Sequence, residues 1–330
     1  MDGDGKKIEM FQVGPCQDAY QFGFLIGKRF SKLIKTRLAT DFILHNQLLP
    51  FANNTLQSQS LLQTLFDNNK KKFPRYWDEL LGTAAGSAVP LLHILLINFR
   101  KEILAFIPKE GAKSYSADTL DDCSDVLVVG ESMAIAAHNE DANVALVGHT
   151  YLIKRILPDG MFFVGYTYAG ELPSCAFGFN SHGLRIRSSE ISVGHCYNLI
   201  ETSTRRILNV ETASRKRDSI FEVGEPPFFH ANMYLHLQIN QVHDENSISR
   251  QKRAAALPKK TKEDFLSLLG DADDRKYPIY MTGPLLHTLC TAVFDLDEHT
   301  LSIIEGNPKK GDVSHVFSIK RCHGDHPNAI

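Results

Sequence analysis

The segment LDDCSDVLVV, residues 120–129, divides the chain into two parts with different sequence patterns. Acidic residues and Cys123 pass directly into an apolar run that ends at Gly130, which is typical of a buried strand followed by a turn. The pattern predicts that a sheet begins here, and that Cys123 stands at the opening of one of its interior strands.

The part of the chain before Cys123, residues 1–122, is predicted to be a helical segment. Apolar residues recur at intervals of three and four between positions 22 and 38. The same spacing returns in residues 61–66, 76–81 and 91–96. We therefore expect several consecutive amphipathic helices that share one core.

The part from Cys123 onward, residues 123–330, has the pattern of successive hairpins. Apolar stretches flank the turn sequences Pro158-Asp159-Gly160 and Asp297-Glu298-His299. A further pair of strands is predicted at residues 197–201 and 206–212. Helices followed by hairpins predict a mixed α/β (α+β) fold in which helices cover layered sheets.

Composition excludes several classes of protein. Hydrophobic residues make up 43% of the chain, and the net charge is only -2, which gives no electrostatic reason to expect nucleic acid or membrane as a partner. The cysteines are scattered without a Cys-x-x-Cys pair, so neither a zinc ribbon nor a disulfide framework is expected. With no signal peptide, no transmembrane segment and no peroxisomal C-terminal tripeptide, we expect a cytoplasmic location.

Cys123 is the candidate nucleophile. A thiol attacks as its thiolate and therefore needs a base. If the chain is cut between Asp122 and Cys123, the new α-amino group, whose ordinary pKa is roughly 7.7–8.0, becomes that base. The alternative is a buried structural cysteine, which is the commoner fate of a lone cysteine.

Polar residues return beside Cys123 after the first hairpin. The sequence His138-Asn139-Glu140-Asp141 follows the predicted return strand. An acid at this position can hold an α-ammonium group or orient a substrate amide. The alternative is an ordinary polar end of a hairpin.

Three short motifs carry a resemblance to a known family: GFNSHGL at 178–184, HAN at 230–232 and EGNP at 305–308. In order and spacing the chain resembles the cysteine N-terminal-nucleophile (Ntn) hydrolases related to fungal isopenicillin N acyltransferase, the peptidase C45 family, and its plant members in particular. The resemblance implies a four-layer αββα sandwich. It also implies that residues 1–122 form a precursor or α-subunit segment and residues 123–330 the catalytic β-subunit segment.

The same resemblance implies an amidase or N-acyltransferase that cleaves itself between Asp122 and Cys123. Cys123 would then serve as the thiol nucleophile and form a thioester. Asp141 would lie near its amine and the substrate, and Asn232 would donate a hydrogen bond to the oxyanion, a contribution of roughly 3–4 kcal/mol in comparable sites. Asn139 belongs to the same motif as Asp141 and is a candidate substrate-binding residue.

The substrate is expected to be a small amide, or an acyl donor such as acyl-CoA together with an amine. Tyr166 and Tyr168, on a predicted strand, are candidates for lining its pocket, or else core residues. No cofactor and no metal are expected, because His230 and His236 have no acid or cysteine at a recognisable metal-binding spacing. The two self-cleaved fragments are expected to stay associated.

One departure from the family pattern follows Leu184. No asparagine occurs between Asn180 and Asn198, where the family continues with a second asparagine and a helical excursion. A strand and a helix are therefore expected to be missing. Two alternatives stay open: a Cys–His–Asp hydrolase that uses His138 or His230 as base without cleavage, and an impaired or inactive truncated isoform that acts at most as a binding protein.

Overall fold

The computed structural model describes residues 7–107, 122–173, 176–181, 194–214, 217–241 and 244–320. The chain divides into two compact units, each built from more than one stretch of sequence. The first comprises Met1–Asp121, Ala142–Phe179 and Gly283–His287, and the second comprises Asp122–Asp141, Asn180–Thr282 and Thr288–Ile330. The predicted segments 1–122 and 123–330 are the expected products of self-cleavage and not compact units. This division stays a prediction.

The first unit contains the helices that the apolar spacing predicted. Its core is made of their buried apolar faces. A π-helical turn at Leu44–Leu48 precedes the third of them. The helices are α1 Ala19–Arg29, α2 Ser31–Thr40, α3 Leu49–Asn54, α4 Leu56–Lys72, α5 Pro74–Ser87, α6 Leu91–Asn98 and α7 Arg100–Leu104.

Glycines of both helices, Gly23 and Gly82 among them, allow α1 and α5 to pack with their backbones close together. A Cβ atom on Gly23 would lie 2.0 Å from the carbonyl oxygen of Glu79, and one on Gly82 would lie 2.0 Å from that of Tyr20. Real Cβ atoms do not approach other atoms so closely, so the two helices could not keep this separation with any larger residue.

In the part of the chain that the structure describes, the strands form three sheets whose orders are β1-β4-β5-β6, β10-β2-β3-β11-β12-β13 and β7-β8-β9. All four hairpins expected from the sequence are present as antiparallel pairs: β2 with β3, β4 with β5, β7 with β8, and β11 with β12. Their bounds are β1 Met10–Val13, β2 Ser124–Val129, β3 Ala134–Asn143, β4 Thr150–Ile156, β5 Phe162–Tyr168, β6 Gly178–Asn180, β7 His195–Glu201, β8 Arg206–Ala213, β9 Arg217–Glu222, β10 Phe228–His230, β11 Leu286–Asp295, β12 Thr300–Glu305 and β13 Asp312–Ser318.

In the second unit, two helices cover one face of the six-stranded sheet. Helix α8 spans Glu245–Ala256, and α9 spans Lys262–Leu269 behind a capping box formed by Thr261 and Asp264. Apolar residues of alternate strand positions pack against the two helices in a single core. The mixed α/β class predicted from the sequence is confirmed, with helices and several sheets in the described residues.

Strand β2 begins at Ser124, one residue after Cys123, and lies between β10 and β3 in the sheet interior. Cys123 therefore stands at the opening of an interior strand, as the sequence indicated. Among the helices of the described residues, none combines the length and apolar character that a membrane span requires.

Candidate active site

Strand register places a row of polar side chains on one face of the six-stranded sheet. Asp125 of β2 pairs with His230 of β10 on one side and with His138 of β3 on the other. Because paired residues share a face and side chains alternate along a strand, Cys123 and Glu140 fall on this face as well. We call these five residues the polar row.

His138 is held between two carboxylates of the polar row. Its Nδ1 lies 2.8 Å from Oδ1 of Asp125, and its Nε2 lies 2.8 Å from Oε2 of Glu140. Burial alone would lower the pKa of His138, but the charge and the hydrogen bond of Asp125 raise it well above its ordinary value. Both ring nitrogens are therefore engaged, and the ring is an imidazolium donor near neutral pH.

Cys123 is half-buried at the end of the polar row. Its Sγ lies 3.9 Å from Oε2 of Glu140 and 3.8 Å from the backbone oxygen of Asp141. Burial, together with the nearby charge of Glu140, raises the pKa of this thiol to about 12. In the intact chain the sulfur is thus a neutral thiol, and its attack requires a group that removes the proton.

Arg250 of α8 organises the backbone on both sides of the predicted cleavage bond. Its Nη1 donates hydrogen bonds to the carbonyl oxygens of Asp122 and Cys123 and to Oγ of Ser124, each at 2.8 Å. The side chain is fully buried. The carbonyl that the thiol would attack in self-cleavage therefore carries a charged hydrogen-bond donor.

Sequence reasoning missed Arg250. The signal that was available is its place on the buried stripe of α8, where Ser247 and Ala254 are its buried neighbours at helical spacing. A buried arginine must be paired. Periodicity reveals that this arginine faces the sheet, but it cannot identify which carbonyls the arginine contacts.

Arg250 also connects Asn232 to the cleavage bond. Its Nη2 donates to Oδ1 of Asn232 at 3.1 Å and to Oδ1 of Asp122 at 3.2 Å. Asn246 of the same helix donates a hydrogen bond to the other carboxylate oxygen of Asp122. The structure thus brings Asn232 and the Asp122–Cys123 bond onto one guanidinium.

Asp141 borders the same bond from β3. Its backbone oxygen accepts the N–H of Asp122 at 3.3 Å, and its Oδ1 accepts the hydroxyl of Thr288 at 2.5 Å. Among the described residues, its buried Oδ2 has no hydrogen-bond partner. Burial raises the pKa of Asp141 to about 7, against the opposing effects of Thr288 and Arg250. A carboxyl group that titrates near neutrality and has an unused acceptor therefore lies beside the predicted cleavage bond.

Asn139 is fully buried on the face opposite the polar row. Its Nδ2 donates to the carbonyl oxygens of Leu269 and Ile279, at 2.8 and 3.3 Å, and its Oδ1 accepts the hydroxyl of Thr291 at 2.7 Å. In this structure the amide fastens β3 to α9 and β11. The substrate-binding role predicted for it stays a prediction.

The two tyrosine candidates lie in the first unit, buried on β5. The Tyr166 hydroxyl donates to Oγ1 of Thr150 at 2.9 Å, and the ring stacks on Phe177 with centroids 4.9 Å apart. Tyr168 packs edge-on against Tyr166. These contacts place both rings in the core of their unit, and their predicted role at the pocket stays a prediction. The shortened connection after Leu184 falls within residues 182–193, outside the described residues.

Within the described residues, two groups of side chains each bring three metal-ligating atoms within 4.8 Å of one another. The first is Cys123, His138 and Glu140, in which both nitrogens of the imidazole are already used. The second is Cys196, Glu211 and His230, where Nε2 of the buried imidazole has no hydrogen-bond partner among the described residues. The second group is therefore open to a cation, and the first belongs to the hydrogen-bonded polar row. No metal-binding spacing is visible in the sequence because the three residues come from β7, β8 and β10.

Comparison with known proteins identifies two similarities. Residues 185–310 match the sequence model of the acyl-coenzyme A:6-aminopenicillanic acid acyl-transferase family. Over 88% of this chain and 91% of its own length, a β-alanyl-dopamine/carcinine hydrolase of Drosophila melanogaster is 25% identical. Both confirm the resemblance to isopenicillin N acyltransferase relatives. They support hydrolase or acyltransferase activity, although Cys123 lies before the residues that match the family.

Proposed function

We propose that this protein is an amide-bond hydrolase or acyltransferase of the Ntn type, and that it cleaves itself between Asp122 and Cys123. The observation that carries the proposal is the contact of Arg250 with the Asp122 carbonyl, 2.8 Å from its Nη1. A buried guanidinium that donates to the carbonyl preceding a cysteine can stabilise the oxyanion that forms in an acyl shift. The four-layer αββα sandwich of such enzymes is part of this proposal.

Self-cleavage begins when the Cys123 sulfur attacks the carbonyl carbon of Asp122 and the thiol proton leaves. Negative charge then develops on the carbonyl oxygen, where Arg250 donates a charge-assisted hydrogen bond. The C–N bond breaks, the nitrogen takes up the proton that the thiol released, and a thioester joins Asp122 to the sulfur. Water hydrolyses this thioester to give the Asp122 carboxylate, the free thiol and the α-amine of Cys123.

The same groups would then serve a substrate. The α-amine of Cys123 takes the thiol proton, and the sulfur attacks the substrate carbonyl to form an acyl thioester. The proton passes to the departing amine, and water or a second amine resolves the thioester. Asp141 has an unused buried oxygen that can hold the α-ammonium group, and Asn232 is the proposed donor to the oxyanion.

The proposed substrates are linear amides, with acyl-CoA as a co-substrate if an amine rather than water resolves the thioester. The relative's name supports this class, since it is called a hydrolase of β-alanyl-dopamine and carcinine. The partners of the chain would then be small molecules. The two self-cleaved fragments, 1–122 and 123–330, would remain associated because the core of the first unit contains buried residues of both, among them Ile34 and Tyr151.

Amine release from a panel of linear amides tests this function. We expect Cys123→Ala to abolish turnover, because no other group in the proposal forms the thioester. Cys290→Ala is the matched control, since it removes a buried thiol of the same six-stranded sheet. Turnover that persists in folded Cys123→Ala protein would contradict the assignment.

A Cys–His–Asp hydrolase that needs no cleavage is the second candidate. The 2.8 Å contact between His138 Nδ1 and Asp125 Oδ1 favours it, because the third member of the group, Cys123, lies within 4.8 Å of the ring. Against it, the Nε2 that should accept the thiol proton already lies 2.8 Å from Oε2 of Glu140.

His138→Gln distinguishes the two candidates. If the α-amine is the base, we expect turnover of the cleaved enzyme to fall by less than about tenfold, since the base remains in place. If His138 is the base, turnover should fall by at least about 10³-fold and the neutral-pH limb of the rate profile should disappear. Circular dichroism of each variant checks that the fold is retained.

A further inference from the structure

The second cluster of side chains lies where the three-stranded sheet meets β10. Cys196 of β7 and Glu211 of β8 are directly paired across their hairpin. The buried ring of His230 points its Nε2 at Glu211 Oε1, 3.6 Å away. This separation exceeds a hydrogen bond, and Nε2 has no hydrogen-bond partner within the described residues.

From this geometry we infer that Cys196, Glu211 and His230 form a binding site for a divalent transition metal of the zinc class. A sulfur, an imidazole nitrogen and a carboxylate oxygen are the donors that Zn²⁺ accepts. In tetrahedral coordination such atoms stand about 3.4–3.6 Å apart, given bond lengths of about 2.0–2.3 Å. The three donor atoms already lie within 4.8 Å of one another, so small side-chain rotations close the site.

Glu211 is positioned for ligation by the backbone of the following loop. The N–H groups of Leu235, His236 and Leu237 donate to its two oxygens, at 2.6, 3.0 and 2.6 Å. Its Oε1 accepts only the Leu235 N–H among these, so a second lone pair of that oxygen stays available for a cation. The backbone thus holds the carboxylate in place and leaves a lone pair of Oε1 to bind a cation.

Asp125 lies on the other side of the His230 ring. Its Oδ2 is 4.0 Å from Nδ1, so a small approach would let Nδ1–H donate to the carboxylate and leave Nε2 free to bind metal. Such a carboxylate behind a ligating histidine fixes the tautomer and increases the basicity of the ligand. With the Cys196 thiol deprotonated on binding, the thiolate and Glu211 balance the charge of a divalent cation.

Metal binding by the full-length chain tests the inference. We expect the purified protein, after incubation with Zn²⁺ and gel filtration, to retain about one zinc per chain. Co²⁺ should give the near-ultraviolet band of a thiolate ligand. Cys196→Ser should remove the band and most of the retained zinc. The Cys290→Ser and Cys123→Ala variants should keep both.

The rate at which the cysteines of the wild-type protein are alkylated provides a second test. Bound Zn²⁺ should slow alkylation of Cys196 by iodoacetamide, as mapped by peptide mass spectrometry, and should leave the alkylation rate of Cys123 unchanged. Retention of no zinc would overturn the inference. So would loss of the cobalt band in Cys123→Ala, or protection of Cys123 instead of Cys196, because the metal would then sit in the polar row.

Discussion

The two faces of the six-stranded sheet use the same strands for opposite purposes. On one face, Val126, Val128 and Phe229 pack with Phe265 of α9 in a continuous apolar core. On the other face, alternate residues of the same strands form the polar row, from Cys123 through Asp125 and His138. The apolar face can account for the stability of the unit, because burying such side chains is favourable in itself.

The polar row has no comparable stabilising reason to exist. Burying a histidine between two carboxylates costs desolvation free energy, which hydrogen bonds and charge pairing only partly offset. Among the described residues, the buried Nε2 of His230, a member of the row, has no hydrogen-bond partner. The contrast indicates that the residues of the polar row are candidates for chemistry rather than contributors to stability.

Removal of a core side chain should produce the largest effect on stability. Phe265→Ala truncates a fully buried ring of the apolar face, and we expect it to lower the free energy of unfolding by about 3–5 kcal/mol. Chemical denaturation measures the loss. If Phe265 contributes only to stability, the fraction of protein that remains folded should still cleave itself at the wild-type rate. A specific loss of cleavage in the folded fraction would break the distinction.

Removal of the guanidinium that holds the predicted cleavage bond should affect rate more than fold. We expect Arg250→Met to slow self-cleavage by about 10²–10³-fold, as for loss of an oxyanion donor. Arg253→Met, on the same helix but partly exposed and paired with Asp271 and Asp273, is the matched control. The time course of fragment formation after refolding provides the measurement. Equal rates in the two variants would show that Arg250 is only structural.

Asp141 offers a further test of the contrast between the two faces, because it is a buried acid on the face that packs against helices. Its pKa is about 7 in the folded chain against an ordinary 3.8, so the folded state holds a proton that the unfolded state has lost. Stability from this group should therefore fall as pH rises from about 4 to 7 and then level off.

We expect Asp141→Asn, made in the uncleavable Cys123→Ala background, to remove that fall. The double variant should be more stable than Cys123→Ala by about 4 kcal/mol at pH 8, with little difference at pH 4. Denaturant titrations at several pH values measure this difference. The exposed Asp273→Asn change serves as control. An unchanged pH profile would show that Asp141 ionises normally.

Much of this architecture could be predicted from the sequence. Apolar periodicity identified the helices of the first unit and the hairpins, and the position of Cys123 before an apolar run identified the strand opening. Local patterns carry this information because period and turn chemistry are set by neighbouring residues. The position of the nucleophile candidate therefore follows from the sequence alone.

The contacts around Cys123 could not be predicted in the same way. Arg250 reaches the Asp122 carbonyl from 128 positions along the chain, and no sequence spacing encodes that approach. The pairing register of three strands determines that His138 and His230 lie beside Asp125. A shift of one residue would place their side chains on the opposite face of the sheet. The polar row is thus a tertiary feature, although each member lies in a motif that the sequence had singled out.

The most direct test of the central claim is the intact mass and N-terminal sequence of the purified, folded chain. We predict two associated fragments of 122 and 208 residues, the second beginning at Cys123-Ser124-Asp125, and a single uncut chain of 330 residues for Cys123→Ala. A wild-type chain that stays whole after folding would contradict the account. A cut directly after Asp122 in the Cys123→Ala protein would also contradict it, because another protease would then have made the cut.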